Sequence, residues 1–116
     1  MNELAQRLFN FSVRSLKLTS DLPDTPEFKV IRYQLAKSAT SCGANYEEAQ
    51  SGSTKADFAH KIRITLREMR ESNYWLRTIR SFSNELHDSD NLEYLIDESN
   101  QLRKILASIL NKTTDH

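Results

Sequence analysis

Proline and glycine occur only twice each in the 116 residues, and cysteine only once. So few turn-formers exclude a loop-rich or all-β design, which needs them at its many reversals. A lone cysteine, Cys42, rules out an intrachain disulfide and gives no sign of an oxidising compartment. Net charge is lacking too, since 16 Lys and Arg balance 16 Asp and Glu. That balance excludes a generally basic nucleic-acid binder but leaves room for a local basic stripe. No apolar run approaches the roughly 20 residues of a membrane span. The N-terminus has acidic Glu3 and no continuous apolar stretch, so no signal peptide is expected. The expected setting is the cytoplasm, with no membrane partner, and the length suits a single domain over 1–116.

What is present is apolar residues at helical spacing. Residues 54–82 carry three lengthwise stripes. Phe58, Ile62, Thr65, Met69, Ser72 and Leu76 recur at intervals of four and three, flanked by Leu66 and Asn73, and form a bundle seam. A second row at the same spacing holds Ile64, Glu68, Glu71, Trp75, Ile79 and Phe82. Arg63, Arg67, Arg70 and Arg77 run between the two rows, with Tyr74 in line. One seam suffices for a monomeric bundle. The second row is either covered by neighbouring helices of the same chain or is a subunit interface, where aromatics concentrate. The interface reading is preferred, and it requires cationic partners for Glu68 and Glu71.

The other helices arrange themselves around this one. Residues 2–20 place Leu4, Leu8, Phe11 and Leu18 in one row, with Phe9, Val13 and Leu16 beside it, and Pro23 then ends helical geometry. Thr25 as N-cap, Pro26 at the first position and Glu27 in the first turn begin a helix over 26–50. Its seam is Phe28, Ile31, Leu35, Ala39, Cys42, Tyr46 and Ala49. Its second half is rich in small residues, so its small face is expected to lie along the central helix. Gly43 there implies close approach of another backbone, and Asn45 is expected to be a buried polar group with a structural role. Gly52 suits a left-handed position after the helix. Thr54 with Asp57, and Asp90 with Glu93, resemble capping boxes. After a turn over 83–89, a fourth helix is expected over 91–111, with Leu92, Leu95, Ser99, Leu102, Leu106 and Ile109 as its seam and the last five residues fraying. Four helices with short links predict an all-α, up-down-up-down antiparallel bundle.

The zero net charge conceals a polarity. Residues 55–80 hold seven Lys or Arg against three Asp or Glu, whereas residues 81–101 hold six acids and no Lys or Arg. These could be solvated faces that pair with one another. They could also give a polyanion a basic band, made of Arg63, Arg67, Arg70 and Arg77 with Tyr74 for stacking. Catalytic constellations are missing. Cys42 lies on a core seam with no His near it in sequence. No Glu-x-x-His pair of a di-iron bundle occurs. Asp57 and His60 have ligand-like spacing but no second pair, and there is no phosphate-cradling glycine loop. No catalytic residue, metal or cofactor is expected.

The run over 38–77 resembles the four-helix-bundle family of the 23S rRNA intervening-sequence protein. It is similar also to the accessory variability protein of diversity-generating retroelements. The small-residue segment with Asn45, then Glu48–Ala49, Ser53, Asp57–Phe58, Lys61, Glu68, Glu71 and Tyr74–Trp75–Leu76 carry the resemblance, while Cys42–Gly43 departs from the more usual small-plus-isoleucine pair. The resemblance implies a homopentameric four-helix bundle without enzyme activity. Through the retroelement relatives it implies binding of nucleic acid and of a reverse transcriptase by a basic surface. Two readings follow: a non-catalytic oligomer that binds RNA or DNA, or a scaffold that docks another protein.

Overall fold

The computed structural model describes residues 2–52, 54–83 and 89–114. Four helices hold nearly all of them: α1 (Glu3–Ser20), α2 (Pro26–Ala49), α3 (Lys55–Phe82) and α4 (Asp90–Thr114), with no strand among the described residues. Ser53, most of the expected turn over 83–89 with the acids Glu85 and Asp88, and the terminal Asp115 and His116 lie outside the described residues.

Each helix begins where a side chain can accept from an otherwise unpaired backbone N–H. Asn2 is the cap of α1 rather than its first residue, its Oδ1 accepting from Ala5 N at 2.7 Å. Thr25 accepts from Phe28 N, and Thr54 from Asp57 N. At α4 the expected cap is displaced by one residue. Ser89 Oγ accepts from Leu92 N at 3.2 Å, so Asp90 is already helical and supplies negative charge to the first turn. α4 also continues to Thr114, past its expected end, and there the Thr113 and Thr114 hydroxyls donate to the carbonyls of Ile109 and Leu110. Gly52 takes φ +88°, the left-handed conformation expected after α2.

Cross-helix pairs fix the directions. Asn2 with Tyr46 and Ser12 with Ala39 run α1 against α2. Lys61 with Glu48, Ser72 with Ser38 and Phe82 with Phe28 run α3 against α2. Asn73 with Ser99 and Arg80 with Glu93 run α3 against α4, and Arg7 with Glu98 and Arg14 with Asn91 close the ring. The bundle is therefore up-down-up-down. At 1.5 Å per residue, α3 is ~42 Å long and spans most of the 47 Å molecule. The core is one cluster built from the seams, with Leu8, Leu35, Ile62, Met69, Leu76, Leu95 and Leu102 fully enclosed.

Three expectations are corrected. Ile79 is 0% exposed and belongs to this core, not to an outward row. It stands three positions after Leu76 and seven after Ser72, so it continues the first seam, and α3 packs on α2 and α4 at once. The small face of α2 is divided between two neighbours. Ser38 meets Ser72 on α3, but a Cβ at Gly43 would face the Leu8 backbone and Ser12 of α1, 3.6 Å away. Asn45 is only half-buried and donates to Ser41 of its own helix, whereas the buried asparagine that ties two helices is Asn73.

Candidate functional site

Arg63, Arg67, Arg70, Tyr74 and Arg77 all lie exposed on α3. Their intervals of four, three, four and three keep them on one edge of the helix. Arg67 lies 3.9 Å from Glu68, but its side chain is 73% exposed, and such a pair contributes little. Among the described residues, Arg63, Arg70 and Arg77 make no ion pair. The Arg77 guanidinium lies 5.8 Å from the centre of the Tyr74 ring, within cation–π range. A groove of about 450 Å³ runs beside the first half of the band, bordered by His60, Arg63, Ile64, Arg67, Arg70 and Leu110.

The second half of the band borders another groove, of about 420 Å³, where α3 faces α4. Here Arg70 and Arg77 are joined by Arg103, and the remaining lining is Asn73 and Asn100. Arg77 Nε donates to Asn73 Oδ1 at 2.8 Å, and Arg103 Nε to Asn100 Oδ1 at 3.2 Å. Asn73 Nδ2 donates across the helix pair to Ser99 Oγ at 2.8 Å and to Asn100 Oδ1 at 3.3 Å. The band thus extends onto a second helix. Asn100 and Arg103 share the i, i+3 face of α4 that meets Asn73. A charge count closing at Gln101 stops two residues short of Arg103, and only helix pairing brings it to Arg70.

The second row of α3 divides. Ile64 and Trp75 are half-buried, and Trp75 packs against the core with its ring edge-on to Tyr74. Trp75 Nε1 is enclosed without an acceptor among the described residues. Phe82 is 56% exposed although its ring meets Phe28 at 5.4 Å. Glu71 is exposed. Glu68 is largely covered, and burial raises its pKa, with the Glu71 charge adding to the rise and Arg67 and Lys37 opposing it. Val30 and Tyr33 of α2 add exposed apolar surface, and Lys37, on the same face of α2, is close enough to Glu68 to bias its titration. The face is apolar and aromatic around an acidic centre.

The profile of the family described as 23S rRNA-intervening sequence protein matches residues 1–108. The chain belongs to that family. Among solved structures it is similar to a protein of unknown function from the S23 ribosomal protein family of Bacteroides thetaiotaomicron. That likeness has 31% sequence identity and a TM-score of 0.80, and covers 92% of this chain and 97% of the other. No curated protein matches.

Neither the family's description nor that neighbour indicates an enzymatic family. Where the family resemblance falters, at Cys42–Gly43, the packing accounts for the cysteine. Cys42 is fully buried, its Sγ donating to Ser38 O, and burial pushes the thiol well above its ordinary pKa, assisted by the Glu68 charge. A thiol held protonated in a core is a small hydrophobe rather than a nucleophile. Asp57 and His60 are exposed on the first turns of α3, where Asp57 N–H completes the Thr54 cap. No metal-holding group of His, Cys, Asp or Glu occurs among the described residues. No described helix is long and apolar enough to cross a membrane.

Proposed function

We propose that this member of the 23S rRNA-intervening sequence family is a non-catalytic, oligomeric protein of the cytoplasm that binds RNA or DNA along the α3 band. The observation that carries the reading is the exposure of Arg63, Arg70 and Arg77 on one helix edge without carboxylate partners among the described residues. Tyr74, 53% exposed in the same line, supplies a face on which a base can stack. The test is binding of single-stranded RNA and DNA across a salt series. Arg63, Arg67, Arg70 and Arg77 changed together to Glu abolish binding, and each single Arg→Ala lowers the salt slope by roughly one. An intact protein that binds neither nucleic acid at low salt rejects the reading.

Assembly with further copies of the chain accompanies it. The exposed Val30 and Tyr33 of α2 and Phe82 of α3 support a self-association surface, and the number five follows from the family resemblance. Repetition of the band around a ring raises avidity without new contacts.

A second reading, a protein-docking scaffold without nucleic-acid binding, is favoured by one feature. Phe9, Val13 and Leu16 of α1 border an apolar groove of about 400 Å³ against Gly43 and Ala44 of α2, away from the band. A pull-down from the native host that recovers no protein partner counts against it.

A further inference from the structure

Three guanidinium groups, from Arg70, Arg77 and Arg103, border the α3–α4 groove with no carboxylate in its lining. Like charges gathered without a counter-charge repel one another, and long side chains on a surface ordinarily relax apart. Two of these are held in place instead. Each has its Nε bonded to an asparagine oxygen, which leaves its Nη groups without a hydrogen-bond or ion-pair partner among the described residues. The same bonds fix both amides, because an arginine N–H can donate only to the oxygen end. Asn73, 6% exposed and anchored to Ser99, is the buried support. Asn100 receives two donors on its oxygen, from Asn73 and Arg103, so its own N–H₂ group is directed away from them and makes no bond to a described residue.

We propose that this groove seats a phosphate group, gripped by the oriented forks of Arg77 and Arg103, with Arg70 as third cation and Asn100 Nδ2 as neutral donor. Fixed guanidinium forks match the spacing of phosphate oxygens, and a tetrahedral oxyanion offers enough oxygens to meet several at once, which a planar carboxylate does not. The assignment to a nucleic-acid backbone rests on the band reading above; the seat itself requires only phosphate chemistry.

The test follows the Arg Nε–Hε resonances of the intact protein by NMR. Those of Arg77 and Arg103 are held in hydrogen bonds and should be observable. One arm adds inorganic phosphate against chloride at equal ionic strength, and the other adds a short oligonucleotide with hydroxyl at both ends. Both resonances should move saturably with phosphate and not with chloride. Asn100→Ala keeps every charge, and Arg103→Lys keeps the charge but loses the fork. Each should weaken the phosphate titration roughly tenfold, while Lys29→Ala on exposed α2 leaves it unchanged. Movement in both arms supports a seat for backbone phosphate. Movement with inorganic phosphate alone supports a seat for the free ion and counts against the nucleic-acid reading. Movement with the oligonucleotide alone supports a seat that needs the polymer. Oligonucleotide binding that leaves both resonances unmoved overturns the seat and spares the band. No binding in either arm overturns both. Parent-like titration by Asn100→Ala and Arg103→Lys overturns the oriented site in favour of diffuse charge.

Discussion

Arg7 is the principal polar tie between α1 and α4. Its Nη2 donates to Glu98 Oε1 at 2.6 Å and to Gln101 at 3.1 Å, and its Nε to Glu98 Oε2 at 3.0 Å. The hydrogen bond to Glu98 raises the Arg7 pKa further, against a smaller opposing effect of burial. A raised cation pKa contributes stability that is fully present below the unfolded value, so the Arg7 charge is kept throughout the ordinary pH range. The carboxylate is the vulnerable partner, since the Glu98 side chain is 9% exposed against 28% for Arg7. Arg7→Met should therefore cost about 3 kcal/mol in urea denaturation, because it strands a covered negative charge, the low end of such losses applying because Arg7 is itself partly exposed. Glu98→Gln should cost less, and equal losses would contradict this account. Glu68 acts in the opposite sense. Its folded pKa lies above 4.5, so the folded state retains the proton longer and the ionised side chain works against folding as pH climbs through the shifted value. Glu68→Gln should gain on the parent in unfolding free energy as pH rises above 4.5. A constant difference across that range would show that Glu68 feels no desolvation.

The helix ends and the glycine of α2 decide what happens at the level of elements. Ser89→Ala removes the acceptor for Leu92 N and should lower stability by about 1 kcal/mol, with Asp90→Ala costing less. At Gly43 an added Cβ would meet Leu8 and Ser12 at 3.6 Å, ordinary van der Waals contact, on a helical backbone. Gly43→Ala should then raise the midpoint of thermal unfolding, by about 0.5–1 kcal/mol of stability. A loss would mean that the α1 backbone has no freedom to accept a methyl group. Much at this scale is legible in the sequence. Thr25, Thr54 and Gly52 do what their residue types suggest, and the α2 seam from Phe28 to Ala49 is buried throughout. Ile79 and Gly43 were not legible, for related reasons. A 3–4 spacing assigns the last turn of a helix to either of two adjacent rows, and a run of small residues does not say which neighbour it admits.

For the whole molecule, the apolar face beside Trp75 bears on assembly. Trp75 itself packs on the chain's own core, so replacing it would disturb folding and could not test the proposed association cleanly. Tyr33 and Val30, 63% and 57% exposed, are cleaner probes. Native mass spectrometry should give five subunits for the parent, and Tyr33→Glu with Val30→Glu should give smaller species with unchanged helix content. A parent that is a monomer in dilute solution would remove the ring and the avidity argued from it.

Periodicity and caps alone determined four helices, their order, most residues of their seams and the arginine edge of α3, because each of these depends on spacing within one helix. Tertiary structure alone decided that Arg103 joins Arg70 and Arg77, and that Asn73 and Asn100 hold two of the three in place. It also drew Ile79 inside while leaving Phe82 outside. The physical reason is common to all of these. A single helix specifies its own faces, but which faces meet depends on how neighbouring helices pair and at what height along their shared length.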